Sequence, residues 1–451
     1  MKVLLNHVLF IIIVIFLFAG SFLIQTNEGL WWDEAVYMGL GQSIMKGYYS
    51  LDAEMSIESF RPFMFPLLSS PLSYSLTSVR YLALIISMFA IVSVYTASKK
   101  YGIWSVFFTA TFSSFIYFST KVLSESLFII FLSLSLISFY KANKGDKRYL
   151  ILCGVFTSLA TMTRYLGGIL ILSYFIFYIY QAVKTRKPLN PMIYILAVLI
   201  SLIPLYFVGY AYYGNPIGTI ESNMYEYGKS QQFHTFYEGL QQIVTGLNIL
   251  LIAIIPGLYF MLKKKEVNIF LITFVITIVA FLILPHKEPR YLLTFLPIYA
   301  IIGAYGVGEV LNKIKTTRIK WITVLILIVI FSYAAFSGYQ NAYNDRLAAT
   351  GLVDACKDVN SLTDQNIMAT SYPYVYYLSE TRAIEFPDNQ SMVMETIRRE
   401  NIEYVIVYKF EPENPDYVNT YFENNPNFEK VKTYYQWGDP EAAVIYKIRQ
   451  G

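Results

Sequence analysis

Four short stretches hold the residue types that can do chemistry in a chain that is otherwise strongly apolar. The first, "GLWWDEAVYMGLGQSIMKG" at 29–47, sets Asp33 and Glu34 side by side behind Trp31 and Trp32. Two carboxylates held close cannot both ionise freely, which suits one of them to act as a base. The same acids at a helix start would cap free N–H groups and complement the dipole. The second, "ESFRPFMFPLL" at 58–68, carries Arg61 between Phe60 and Pro62, with Pro66 following. Its prolines fix the loop, and a guanidinium there can grip a phosphate with two donors or snorkel at an interface. The third, "TKVLSESLF" at 120–128, places Lys121 and Glu125 four residues apart, a spacing that allows an ion pair on a helix. Arg164 lies between two apolar runs further on. The fourth, "LPHKEPRYLLTFLP" at 284–297, packs His286, Lys287, Glu288 and Arg290 between two apolar spans. Cations at the rim of a bilayer suit an anionic lipid phosphate.

The elements that must position these groups are membrane helices. Of 451 residues, 55% are hydrophobic, 17% aromatic and only 15% charged, against about 25% charged in a soluble protein. Apolar runs of roughly 16–22 residues, near the length a bilayer requires, are expected at about 6–25, 80–98, 102–120, 123–140, 149–164, 165–183, 191–212, 244–262, 267–285, 291–311 and 321–338. The pairs within 101–140 and 149–183 are short enough to read equally as tilted or re-entrant hairpins. Residues 1–25 are followed by no small-residue cleavage site, so they read as a retained first span. Basic residues mark alternate connectors: Lys99 and Lys100; Lys141 to Arg148; Lys184 to Lys187; Lys263 to Lys265; Lys313 to Lys320. The positive-inside rule then puts these connectors and the N-terminus in the cytoplasm. The loops 26–79 and 213–243, the turn 285–291 and the tail fall outside. A net charge of +4 gives no case for nucleic acid. Cys153 and Cys356 lie in different settings and have no metal or disulfide spacing.

From Asp33 onward Val36, Leu40 and Ile44 recur every four residues, predicting a helix along the membrane surface that stops at Gly47. The fold class is thus a polytopic α-helical membrane protein of about eleven spans, residues 1–338, with an amphipathic helix in the first outer loop. A small extracytoplasmic α/β domain follows at 339–451. In it, strands are expected at 366–370, 403–408 and 442–448, and helices at 352–362, 392–400 and 416–423. It carries one glycosylation sequon, Asn389-Gln390-Ser391, and no glycine-rich nucleotide motif. Docking, a lid, acceptor binding or a stabilising cap are the roles open to it.

In this order the four stretches resemble the GT-C class of membrane glycosyltransferases, which take sugar from a polyprenyl-phosphate carrier. "WWDEAVYMGLGQSIMKG" and "FRPFMFPLL" look like the first outer loop of the protein O-mannosyltransferase and aminoarabinose transferase branch. "HKEPRYLL" is similar to the His-Lys-Glu-x-Arg-Phe motif of lipid-linked-oligosaccharide mannosyltransferases, with Tyr291 in place of Phe. The resemblance implies inverting transfer from a dolichyl or undecaprenyl phosphate sugar to a hydroxyl of a glycan, lipid or protein. Asp33 would be the base, Glu34 would orient it, and Glu125 would be a second acid. Arg61, Lys121, Arg164, His286, Lys287, Glu288, Arg290 and Tyr291 would bind the substrate and its leaving phosphate. No cofactor is required; a divalent cation, Mg or Mn, shared by Asp33 and Glu125 would be compatible, although two acids do not establish one. A transporter or flippase of an anionic or lipid-linked substrate is the alternative, but its charges would gather at mid-membrane in matching halves.

Overall fold

The computed structural model describes residues 2–51, 61–98, 101–185, 189–229, 235–264, 268–284, 287–363, 365–379, 382–411 and 414–449. The chain forms two compact units. One comprises Met1–Ile24, Ser59–Phe65 and Arg80–Ala342; the other comprises Gln25–Glu58, Pro66–Val79 and Tyr343–Gly451.

The helices in chain order are α1 (Lys2–Thr26), α2 (Trp32–Met45), α3 (Met64–Ser69), α4 (Leu76–Ser98), α5 (Gly102–Ala110), α6 (Ser113–Ser119), α7 (Glu125–Ala142), α8 (Arg148–Thr163), α9 (Gly168–Thr185), α10 (Leu189–Ser201) and α11 (Ile203–Tyr213). There follow α12 (Gly218–Lys229), α13 (Phe236–Leu247), α14 (Leu251–Lys263), α15 (Ile269–Ile283), α16 (Arg290–Leu293), α17 (Leu296–Lys313), α18 (Thr317–Asn344), α19 (Thr350–Val359), α20 (Tyr372–Ser379), α21 (Val393–Arg399) and α22 (Val418–Tyr421). Strands β1 (Asn366–Ala369), β2 (Ala383–Ile384), β3 (Ile402–Tyr408), β4 (Phe428–Gln436) and β5 (Asp439–Ile448) complete the tail.

Every expected span coincides with a helix or a consecutive pair of helices, yet a count of eleven crossings does not follow. Among the described residues, six helices are long and apolar enough to cross a bilayer, or up to eight if each bent pair is one span. α5 and α6 meet at 64°, and α10 and α11 at 44°. Pro204 in the first turn of α11 accounts for the second break, because proline supplies no N–H to continue the preceding helix. α8 has 16 residues and α15 has 15, short for a perpendicular crossing.

Small residues let the helices of the first unit approach closely. A Cβ on Gly257 in α14 would lie 2.1 Å from the Ile302 carbonyl oxygen of α17, and one on Gly306 would lie 2.4 Å from the Gly257 nitrogen. Backbone against backbone leaves nothing that can swing aside, and in a membrane such contact replaces the hydrophobic drive between helices. Around this crossing the core is filled by rings, among them Phe108 and Phe331 with centroids 4.7 Å apart.

The second unit holds a mixed sheet of order β2-β1-β3-β5-β4. β1 runs parallel to β2 and β3, and β5 runs antiparallel to β3 and β4. β3, "IEYVIVY", is buried along almost its whole length, as a central strand must be. β4 is an edge strand carrying Lys430 and Lys432, charges that discourage further pairing. α2 joins this unit. Its C-terminus forms as expected: Gly47 adopts φ +93° and Tyr48 N–H donates to the Ser43 carbonyl at 3.1 Å. The expected single apolar stripe is not what the structure shows, because every residue from Asp33 to Ser43 is buried. Gly39 makes room for Leu51 and Tyr376, and Gly41 for Ser73. The Tyr376 hydroxyl lies 2.8 Å from Ser43 Oγ and 2.9 Å from the Tyr48 hydroxyl.

Two outcomes follow from this packing. Gly257→Val should destabilise the first unit by at least ~2 kcal/mol, read as a lower melting temperature in detergent; an unchanged melt would refute the close crossing. In the second unit, burial raises the Tyr374 hydroxyl well above its ordinary pKa, with charge from Glu411 adding to it. Burial also pushes Tyr408 and Tyr446 up to about 12. Folded values above the unfolded one mean that this stability is fully present below about pH 10 and is lost as pH rises through the folded values. Denaturant melts of the intact protein should hold steady to about pH 10 and weaken beyond it, whereas a flat profile to pH 12 would contradict the burial.

Candidate active site

The acidic pair starts α2, in the second unit. Glu34, 1% exposed, accepts the Trp31 backbone N–H at 3.1 Å and so closes the helix N-terminus. Trp31 is itself held by donating from Nε1 to Asp345 at 2.6 Å. The capping role that the sequence allowed for this pair therefore falls to Glu34. Asp33, 7% exposed, is buried in the same turn.

The other predicted residues lie in the first unit. Glu125 begins α7 and is 2% exposed. Its partner is Arg164, whose guanidinium reaches Glu125 Oε1 at 2.8 Å and donates to Ser124 Oγ at 3.2 Å. Arg164 sits at the C-terminus of α8 in extended conformation, where the chain turns into the short helical turn Tyr165–Gly167. That turn is tight because a Cβ on Gly167 would lie 2.5 Å from the Thr161 backbone. The loop between α8 and α9 thus aims a cation at the start of α7. The i,i+4 helical pairing of Lys121 with Glu125 is not formed as a helix, since α7 starts only at Glu125. Lys121 is buried and donates to the Tyr117 hydroxyl at 3.1 Å, with its ammonium 4.2 Å from that ring's centre.

The fourth stretch closes on the same network. Arg164 and Arg290 each place a guanidinium 5.9 Å from the centre of the Tyr291 ring. The Tyr291 hydroxyl donates to Glu288 Oε1 at 3.2 Å, and Arg290 pairs with the same Glu288 carboxylate. The tyrosine that stands where the resembled motif has phenylalanine therefore adds a hydrogen bond that phenylalanine could not make. Lys287 is 4% exposed, and its stem packs where a side chain on Gly239 of α13 would otherwise stand. Arg61 is buried in this unit as well. His286 lies outside the described residues.

So the structure brings together Glu125, Arg164, Tyr291, Arg290 and Glu288. Ser124 and Tyr117, which complete the surroundings of Arg164 and Lys121, were not singled out from the sequence. Tyr117 had a signal, since it precedes Lys121 by four residues; Ser124 had none. Among the described residues no group of three or more His, Cys, Asp or Glu side chains is placed to hold a metal ion. One Glu125 oxygen is already engaged by Arg164.

Removing one partner of a buried ion pair leaves an uncompensated charge, which costs about 3–5 kcal/mol. Arg164→Met alone should therefore lower stability sharply, while Glu125→Gln combined with Arg164→Met should recover much of the loss. Melting temperatures of both single variants and the double variant measure this coupling. Strictly additive losses would show that the pair is not energetically linked.

Among solved structures, the fold is similar to that of ArnT from Cupriavidus metallidurans bound to undecaprenyl phosphate, with TM-score 0.68 and 11% identity over 97% of each chain. The Archaeoglobus fulgidus oligosaccharyltransferase, solved with Zn and sulfate, aligns with TM-score 0.58 and 12% identity over 88% of this chain and 68% of that one. The arabinofuranosyltransferase AftD from Mycobacteria aligns with TM-score 0.54 and 11% identity over 97% of this chain and 40% of that one. A search of curated proteins found no sequence match. The fold is GT-C. The model of the Alg9-like mannosyltransferase family matches residues 8–380, most of the chain. The protein belongs to the Alg9-like mannosyltransferase family and is a membrane glycosyltransferase.

Proposed function

We propose that the protein transfers a sugar from a polyprenyl-phosphate carrier to a hydroxyl of a glycan, lipid or protein on the extracytoplasmic side of the membrane. The observation that carries this reading is the buried acid–cation network of Glu125, Arg164, Tyr291 and Arg290, with Lys287 and Arg61 buried in the same unit. Ionisable side chains at membrane depth are costly and are kept for a purpose. A cationic set suits a phosphate monoester or diester, and the related fold of ArnT was solved holding undecaprenyl phosphate. Residues 1–338 would form the catalytic module and 339–451 the extracytoplasmic domain, with the N-terminus in the cytoplasm.

In the reaction, Asp33 takes the proton of the acceptor hydroxyl as its oxygen attacks the anomeric carbon. The bond from that carbon to the carrier phosphate oxygen breaks, and the electron pair leaves with the phosphate. Arg290, Lys287 and Arg61 neutralise the charge that grows there. Attack from the face opposite the phosphate inverts the anomeric centre. Glu34 holds the start of α2 and so fixes Asp33. Oε2 of Glu125 has no hydrogen-bond donor among the described residues, which supports a role in accepting from a sugar hydroxyl. The activated sugar arrives already on phosphate, so the chemistry needs no nucleotide.

Asp33→Asn should reduce transfer from radiolabelled polyprenyl-phosphate mannose by about 10³-fold or more, while the protein still inserts and melts normally. Wild-type turnover by this variant would remove Asp33 from the mechanism. Uptake of the sugar by wild-type proteoliposomes without covalent change would favour a transporter.

A further inference from the structure

The segment that leads into α2 is tied to the tail along its backbone. Glu28 and Gly29 both donate their N–H groups to the Arg346 carbonyl, at 3.0 and 2.7 Å, and Leu30 donates to the Ala348 carbonyl at 3.0 Å. The next N–H, from Trp31, goes to Glu34. Gly29 is required for so close an approach, since a Cβ there would lie 2.5 Å from the Ala348 carbonyl oxygen. Directly after Ala348, Ala349 takes φ +56°, a left-handed conformation that a residue with a Cβ keeps only where its surroundings fix it. All of these residues belong to the second unit.

Two side chains of the tail reinforce this pairing. The Asp345 carboxylate accepts the Trp31 indole N–H at 2.6 Å. Tyr374 of α20, itself buried, donates its hydroxyl to the Leu30 carbonyl at 3.1 Å. Leu30 is buried too, so removing that hydroxyl takes a donor from a carbonyl that solvent does not reach freely. From Trp31 the connection runs on into the first turn of α2. Its N–H donates to Glu34 at 3.1 Å, and its carbonyl accepts the Ala35 N–H at 3.0 Å. Asp33 stands in the turn so fixed. Its place is therefore set in part by side chains that bond to partners 314 and 344 residues earlier in the chain.

We propose that Asp345 and Tyr374 are positioning residues for sugar transfer, each acting through residues 28–31 on the place of Asp33 and not on the reacting atoms. The inference rests on the reading of Asp33 as the base. A base works only within hydrogen-bond reach of the proton it takes, and a misplacement of about 1 Å can cost about 10²-fold in rate. The tail thereby gains a part in the chemical step, as the template against which the acid is set. Arg290, Lys287 and Arg61, the groups assigned to the phosphate, belong to the other unit. Loosening residues 28–31 should therefore slow the chemical step and leave the affinity for the donor intact.

The test uses the full chain in membranes of the cells that make it, which supply the acceptor, with radiolabelled polyprenyl-phosphate mannose as the probe. Each variant is assayed below the onset of its own melting curve, so that only folded protein is compared. Asp345→Ala, Trp31→Phe and Tyr374→Phe should each lower kcat about tenfold, with KM for the donor changed by no more than about twofold. Asp345→Asn keeps an acceptor oxygen and should retain most of the turnover. Asp345→Ala combined with Trp31→Phe should be no slower than the slower single variant, because both remove the same bond. Tyr374→Phe removes a different bond, and its loss should multiply with either. Wild-type kcat in Asp345→Ala or in Tyr374→Phe, with Asp33→Asn inactive, would strike that residue from the proposal and leave the base standing. A raised KM at unchanged kcat would assign these contacts to binding and overturn the proposal. Wild-type turnover in Asp33→Asn would overturn the base itself, and the positioning role with it.

Discussion

A charge set into an apolar helix bundle must find a counter-charge, and the ion pair between Glu125 and Arg164 is how this protein meets that demand. With Glu125 2% exposed, neither partner is tolerable without the other. The pair sets the start of α7 against the loop that ends α8, and it brings Arg164 over the Tyr291 ring. Through Tyr291 and Glu288 the same network holds Arg290. Three segments distant in sequence are thus tied together by ion pairs and ring contacts. That rigidity is what a site for a phosphate leaving group needs, because cations arranged in advance spend no energy on reorganising as charge develops.

The scaffold that carries this network relies on a different interaction. Water does not drive helices together within a bilayer, so the contacts come from close packing. Gly257 and Gly306 allow α14 and α17 to touch backbone to backbone, and rings such as Phe108 and Phe331 fill what remains. In the second unit the balance is reversed. There a conventional sheet core of Met368, Val405, Val407 and Phe422 supports the tail. Hydroxyl contacts from Tyr376 to Ser43 and Tyr48 fasten α2 to it. The acidic pair accordingly rides on a helix held by side chains from about 330 residues further along the chain.

Much of this was legible in the residues themselves. Strings such as "HKEPRYLL" and "WWDEAVYMGL" announce their chemistry locally, and Gly47 marks the end of α2 because only glycine adopts its backbone cheaply. Strand β3 and the end of β5 stand out as β-branched and aromatic runs, and β1 as a short, mostly apolar one. What was not legible depends on partners distant in sequence. Nothing near Glu125 points to Arg164, 39 residues away, rather than Lys121, which has the better local spacing. The burial of α2 on all sides depends on Tyr376 and Leu51 filling the space at Gly39, which its own four-residue periodicity cannot reveal. β4 was missed because Glu429, Lys430 and Lys432 break the alternation that an edge strand would otherwise display. The number of crossings is obscured for a related reason: α5–α6 and α10–α11 are apolar throughout, and hydropathy does not register a bend.

The division of labour between acid and cations can be measured most directly by the equilibrium affinity of the leaving group itself. A fluorescent polyprenyl phosphate without sugar should bind the wild-type protein and Asp33→Asn equally, because in the proposed mechanism the acid serves the acceptor. Lys287→Gln and Arg290→Gln should each bind it about tenfold or more weakly, the loss of a charge-assisted contact. Unchanged affinity in both cation variants, or a loss confined to Asp33→Asn, would contradict the account.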